Sequence, residues 1–248
     1  MSASPGTLLH CRGLRIGYHG VPLLPAIDLE IGPGELWAVI GRNGCGKTTW
    51  LRTALGLMPA VSGRIETGPD VKMSYLPQRN VIDELYPLLA RDVVRMGLLR
   101  GWSFLRPSVR IEPPSVRQAL SDMGVGALGD VPYRRLSEGQ KQRVLFARLA
   151  VSGANIALLD EPTSAMDPVA EAEAFALLDG LRHRQGLAIV VVSHYLGMVR
   201  RYADRALLLD RDTQAVVVGP PDEVFEHEAF HRRFSERPPP AAEVDDER

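Results

Sequence analysis

Unbroken apolar runs recur along the chain at Leu36-Trp37-Ala38-Val39-Ile40, Ile156-Ala157-Leu158-Leu159 and Leu187-Ala188-Ile189-Val190-Val191-Val192. Runs without polar alternation predict strands buried on both faces, as in a parallel sheet. Leu8 to Ile16 and Leu23 to Ile31 flank the turn Gly17-Tyr18-His19-Gly20 and close at Gly32-Pro33-Gly34, so they read as antiparallel strands. Gly63 to Glu66 and Lys72 to Leu76 read as further strands, and Ala206 to Asp210 with Ala215 to Gly219 as a hairpin-like pair. Between these runs the apolar spacing turns helical. Trp50, Leu51, Ala54, Leu55 and Met58 form one such face; Val93, Val94, Met96 and Leu98 follow Asp92. Val116, Ala119, Leu120 and Met123 share a side, as do Val144, Leu145, Ala147 and Leu149 after Ser137. Val169 to Leu181 is amphipathic, and Pro220 begins a last helix. Residues 86 to 150 predict helices and no strand.

A length of 248 residues with 45% hydrophobic content fits one large α/β domain or a core with an inserted subdomain. The net charge of −1 gives no global positive field, which argues against nucleic acid as a partner. Two cysteines, Cys11 and Cys45, cannot form a disulfide framework, and a reducing compartment is expected. No run is long enough to span a bilayer; the stretch Gly186 to Val199 is too short and contains His194. Met1 to Thr7 lacks the character of a signal peptide, so a cytosolic location is expected. Residues 237 to 248 are proline-rich and charged, and are expected to be an unstructured tail.

The chemistry concentrates first at Gly41-Arg42-Asn43-Gly44-Cys45-Gly46-Lys47-Thr48-Thr49, which fits the pattern G-x-x-x-x-G-K-[ST] between a predicted strand and a predicted helix. Glycines let backbone N–H groups close around phosphate oxygens, Lys47 supplies a point charge and Thr48 offers a hydroxyl to Mg²⁺. Of the 29 basic residues only Lys47, Lys72 and Lys141 are lysines, and one falls where a compact ammonium is wanted. The buried run ending in Asp160-Glu161 delivers two acids at a strand terminus, where open α/β sheets place ligand contacts. Gln78 and His194 also stand at strand ends, and Tyr18, in the first turn, has a ring able to stack on adenine. Taken singly, Tyr18, Gln78 and His194 more often have plain structural roles, and Ser137-Glu138-Gly139 reads equally as plain helix capping.

In order, these elements resemble the nucleotide-binding subunit of an ATP-binding-cassette transporter over residues 8 to about 225. Phosphate loop, Gln78, Leu136-Ser137-Glu138-Gly139-Gln140, Asp160-Glu161, Ser164-Ala165-Met166-Asp167 and His194 match that family's Walker A, Q-loop, signature, Walker B, D-loop and H-loop. The resemblance implies a P-loop NTPase (RecA-like) α/β core over 7–85 and 151–219 with an antiparallel β subdomain. It also implies a helical subdomain over 86–150 carrying the signature, a C-terminal helix over 220–236, and the tail. Gly41, Arg42, Asn43, Gly44, Cys45, Gly46, Lys47, Thr48 and Thr49 would hold ATP phosphates, with Tyr18 on adenine. Thr48, Asp160 and Gln78 would surround Mg²⁺; Glu161 would be the base, helped by His194, Gln78 and Lys47. Ser137, Gly139, Gln140 and Asp167 would complete the ATP site of a second copy, so a homodimer is implied.

A separate membrane permease would be the partner, with a substrate-binding protein engaged indirectly in an importer, and the subunit would lie on the inner face of the cell membrane. Three positions depart from the family pattern: Glu138 replaces the signature's first glycine, and Arg42 and Cys45 replace the frequent proline and serine. The segment with Tyr75-Leu76-Pro77-Gln78, Asp83, Tyr86-Pro87, Arg91 to Gly97 and Phe104 to Ser108 is similar to zinc and manganese uptake ATPases, departing at Leu89-Ala90. Siderophore and haem uptake subunits are near relatives, and a soluble ABC ATPase is a remoter alternative. No Cys/His cluster is present to bind a metal cargo on this chain.

Overall fold

The structure is a computed structural model that describes residues 6–78, 86–99, 113–164 and 166–234. Its centre is a six-stranded sheet. β5 (Leu36–Ile40), β7 (Met73–Leu76), β8 (Ile156–Asp160), β9 (Ala188–Val192), β10 (Arg205–Asp210) and β11 (Ala215–Gly219) lie in the order β11-β10-β5-β9-β8-β7. All neighbours pair in parallel except the β10–β11 hairpin. β1 (Leu9–Arg15), β4 (Ile27–Ile31) and β6 (Ser62–Thr67) form a separate antiparallel sheet ordered β4-β1-β6, and β2 (Gly17–Tyr18) pairs with β3 (Val21–Pro22).

Alternation explains why three central strands read as unbroken apolar runs. Side chains along a strand point to opposite faces with period two. Trp37 and Val39 of β5, Ile156 and Leu158 of β8, and Ala188, Val190 and Val192 of β9 pack with the small sheet and with Trp50 and Leu51 of α1 (Lys47–Ala54). The intervening Ala157, Leu159, Ile189 and Val191 pack on the opposite face against helices, together with Phe146 and Phe175. Those helices are α2 (Ala90–Arg95), α3 (Pro114–Asp122), α4 (Glu138–Val151) and α5 (Pro168–Gln185). A third apolar cluster joins Ala38, Ile40 and Leu208 to α6 (Leu196–Tyr202), α7 (Pro221–Glu226) and α8 (Glu228–Phe234).

Register then lines up the strand ends. Leu208 pairs with Ile40, Val39 and Asp160 both pair with Val192, and Leu76 pairs with Leu159. The loops that follow β5, β7, β8 and β9 therefore leave one edge of the sheet together, the edge at which parallel sheets bind ligands.

Three sequence expectations change. The strand predicted over Leu23 to Ile31 shortens to β4: Leu23 to Ala26 lie outside any strand, and Pro25 among them donates no ladder hydrogen bond. The single last helix over 220–236 is two short helices within the described residues. His227 takes extended backbone (φ −68°, ψ 140°), and its Nδ1 accepts the N–H of Ala229 at 3.1 Å, so it ends α7 and caps α8. The helix expected over Val169 to Leu181 runs longer, from an Asp167 cap to a left-handed Gly186. Asp83, Phe104 to Ser108, Ala165 and the tail lie outside the described residues.

Candidate functional site

Close packing fixes the loop after β5. Gly41 has φ 146°, and a Cβ there would stand 2.3 Å from the carbonyl oxygen of Leu209 and 2.7 Å from Cys45 Sγ, so only glycine fits. Gly46 (φ 112°) turns the chain into α1. Lys47 is 6% exposed, and its ammonium folds back into its own loop, donating to the carbonyls of Gly41 (2.8 Å) and Arg42 (3.1 Å). Cys45 is buried, and that burial raises its thiol pKa against the opposing pull of Lys47.

Two adjacent acids face different partners. Asp160, at the end of β8, accepts the Thr48 hydroxyl at 2.9 Å. Burial is the main reason its carboxyl pKa rises, with the Thr48 bond and the nearby Lys47 charge pulling the other way. Glu161 sits at φ 48°, a left-handed conformation that costs a side-chain-bearing residue roughly 1–2 kcal/mol. Its carboxylate meets Gln78 Nε2 (2.6 Å) and His194 Nε2 (2.6 Å). Strain of this kind gathers at functional sites.

A cavity of about 490 Å³ opens over the loop, lined by Tyr18, Asn43, Gly44, Gly46, Lys47, Thr48, Thr49, Gln78 and Glu161, with Leu23 and Arg211. Tyr18 is half exposed, and its hydroxyl shares a hydrogen bond with that of Thr49 at 2.8 Å. Asp160 and His194 reach this group by hydrogen bonds from just outside the lining. Ser137, Gly139, Gln140 and Asp167 do not line it. Ser137 caps α4 in a reciprocal box: its hydroxyl accepts the N–H of Gln140, and Gln140 Oε1 accepts the N–H of Ser137 at 3.0 Å. Asp167 caps α5 by accepting from Val169 and Ala170 at 2.9 Å each. Glu138 turns onto Lys141 Nζ at 2.8 Å, which partly offsets the charge that replaces glycine.

With this geometry in view, the ABC transporter family profile matches residues 24–164. The chain belongs to the ABC transporter family. It is accordingly the ATP-binding and ATP-hydrolysing subunit of a transporter and works with a membrane permease. Among the described residues of this ABC subunit, no helix is long and apolar enough to cross a membrane. It is 31% identical over 232 residues to the zinc import ATP-binding protein ZnuC of Halorhodospira halophila, covering 94% of this chain and 85% of that one. It is 35% identical to the zinc transport system ATP-binding protein TroB of Treponema pallidum, covering 90% and 85%. Among solved structures it resembles an ABC transporter assigned to the metal-chelate type in an inward-facing conformation (TM-score 0.81, 27% identity, 92% and 89% covered). It also resembles cbiO1 of Clostridium perfringens, part of the ABC transporter complex cbiONQ (TM-score 0.73, 25% identity, 94% and 96% covered).

Sequence reasoning missed two features. Arg211 lines the cavity because β10 lies beside β5, a neighbourhood that no local pattern announces, and Leu23, just after β3, lines it too. Thr163 and Glu171 form a buried pair, the Thr163 hydroxyl donating to Glu171 Oε1 at 3.0 Å beneath the loop that follows Glu161. Burial lifts the Glu171 carboxyl from its ordinary 4.5 to about 7, against the lowering effect of Thr163. A raised folded-state pKa means the fold binds more protons than the unfolded chain between these values. This group's extra stability is therefore full below pH 4.5 and is lost as pH rises through about 7. Glu171→Gln should flatten the fall in melting temperature between pH 5 and 8, removing on the order of 3 kcal/mol of pH dependence. Melting curves whose pH slope matched wild type would show that Glu171 is ionised in the fold.

Proposed function

We propose that this subunit drives uptake of divalent metal ions, zinc or manganese, from the cytoplasmic face of the membrane, as a homodimer bound to its permease. The observation that carries the reading of the site is the convergence of Gln78, Glu161 and His194, with 2.6 Å contacts, on a cavity floored by the phosphate loop. The cargo reading draws on the zinc-import and zinc-transport names of relatives that match most of the chain.

ATP would lie with its adenine on the half-exposed Tyr18 ring and its phosphates in the N–H groups of Gly41 to Thr49, at the start of α1. Lys47 would leave the carbonyls of Gly41 and Arg42 for phosphate oxygens, exchanging neutral acceptors for charged ones. Thr48 and Asp160 offer a hydroxyl and a carboxylate 2.9 Å apart, hard oxygens of the kind magnesium takes. Two protein oxygens also suit an ion that keeps waters and fills its remaining positions with substrate phosphates. When bound there, magnesium would neutralise charge on the transferred phosphoryl group. Gln78 is close enough to Glu161 to reach the same region.

Glu161 would accept a proton from the attacking water as that oxygen bonds the γ-phosphorus and the β–γ bridge breaks. Gln78 and His194 would keep its carboxylate aimed. Ser137, Gly139 and Gln140 stand at the N-terminus of a 14-residue helix, outside their own chain's cavity, so they suit the phosphates of a second copy's ATP. Nucleotide that binds closed and open dimers with different affinity can then do work on the permease.

A second reading, transport of a metal chelate such as a siderophore or haem, is favoured by the similarity to the metal-chelate type transporter. A strain lacking this subunit should accumulate several-fold less radioactive zinc or manganese, and wild-type protein should restore it. Unchanged zinc and manganese accumulation with lost siderophore-iron or haem uptake would replace the first reading by the second.

A further inference from the structure

The turn between β10 and β11 brings a cation to the phosphate loop that no motif marks. Arg211 lines the 490 Å³ cavity together with Lys47 and Thr48. It also lines a neighbouring hollow of about 400 Å³ with Arg42 and Asp212, and the two spaces share Asn43 and Gly44. Arg211 thus stands at the rim of the loop itself.

Its backbone is held there. Asp210 accepts the N–H of Asp212 at 3.1 Å and the Thr213 hydroxyl at 2.7 Å, which closes the turn. Gln214 takes φ 52° and donates Nε2 to the carbonyls of Arg211 (2.8 Å) and Leu23 (3.1 Å), tying the turn to the far wall of the cavity. The 2.3 Å approach that a Cβ on Gly41 would make to Leu209 shows that β10 and the loop are packed without slack. The Arg211 side chain is exposed, and it forms no salt bridge with a described residue. Of the acids around it, Asp212 faces the neighbouring hollow, and Glu161, across the cavity, is engaged by Gln78 and His194.

We propose that Arg211 is a further nucleotide-binding residue, its guanidinium donating charge-assisted hydrogen bonds to the polyphosphate of bound ATP. This rests on the reading of the cavity as the ATP site. A planar fork of N–H donors matches phosphate oxygens in a way that a lysine ammonium does not. Because the side chain is exposed, the contact is weaker than a buried one and sensitive to salt. Arg211 adds to affinity for the triphosphate and diphosphate, and contributes little to recognition of the base.

The test is calorimetric titration of the full chain with ATP, ADP and AMP at low and high salt, using wild type, Arg211→Gln, Arg211→Lys and Lys47→Ala. Arg211→Gln should bind ATP and ADP about ten-fold more weakly, a loss expected of a hydrogen bond to a charged group, and AMP nearly as wild type. Its affinity should also depend less on salt, and Arg211→Lys should recover part of the loss. Wild-type ATP affinity in Arg211→Gln overturns the proposal, as does an equal loss for AMP and ATP, which would put the contact on the nucleoside or its first phosphate. If Lys47→Ala also binds ATP normally, the reading of the cavity falls; if only Arg211→Gln does, that reading stands and Arg211 is outside it. Equal melting temperatures of Arg211→Gln and wild type separate a lost contact from a loosened turn.

Discussion

Glu161→Gln is expected to lower the rate of ATP hydrolysis by ~10²–10⁴-fold, the range lost with a positioned general base. ATP affinity should stay within a few-fold of wild type. The substitution keeps the shape of the side chain, so the amide can still accept from Gln78 and donate to a neutral His194, where the carboxylate now makes two 2.6 Å contacts. What it removes is the capacity to take a proton. With hydrolysis blocked and binding intact, ATP should trap two copies together, visible as a dimer in size-exclusion chromatography with ATP and as a monomer with ADP. Turnover at the wild-type rate would rule out Glu161 as the base, and a mutant that neither binds nor hydrolyses ATP would make it a binding residue.

Lys47→Ala should act one step earlier, on binding itself. The ammonium is buried and already bonded to the carbonyls of Gly41 and Arg42, so the side chain is preorganised at the floor of the cavity. Losing a charge-assisted contact to phosphate costs roughly 1.5–3 kcal/mol, which corresponds to about a ten- to hundred-fold loss of ATP affinity. Lys47→Arg should not rescue it, because the larger planar guanidinium does not fit where a compact ammonium is enclosed. Equilibrium titration decides the point: ATP affinity in Lys47→Ala equal to wild type would remove the phosphate loop from the site.

How much of this was legible from sequence depends on how local each cause is. β5, β8 and β9 were readable because both faces of each strand are covered, which leaves no polar position in the run. The start of α4 was readable because Ser137, followed by Glu138 and Gly139, has the character of a helix cap, and in the structure it caps reciprocally with Gln140. The break at His227 was not readable, since it depends on a side-chain nitrogen reaching the N–H of Ala229, and the apolar spacing runs on past it. Gln78, Glu161 and His194 were each legible only as a polar residue at a strand end, while their mutual hydrogen bonds follow from β7, β8 and β9 being adjacent. Arg211 had no local mark because its position depends on β10 lying next to β5. Glu171 reads as an ordinary helical acid until the fold buries it against Thr163.

The Glu161 carboxylate is gripped from two sides by loops that leave different strands, Gln78 after β7 and His194 after β9. Displacing either loop by more than an ångström or so breaks one of those grips, since a hydrogen bond does not stretch that far. With Glu161 as the proposed base, those contacts would make a two-key lock: a tug on one edge of the molecule would silence turnover without disturbing the loop that holds the fuel.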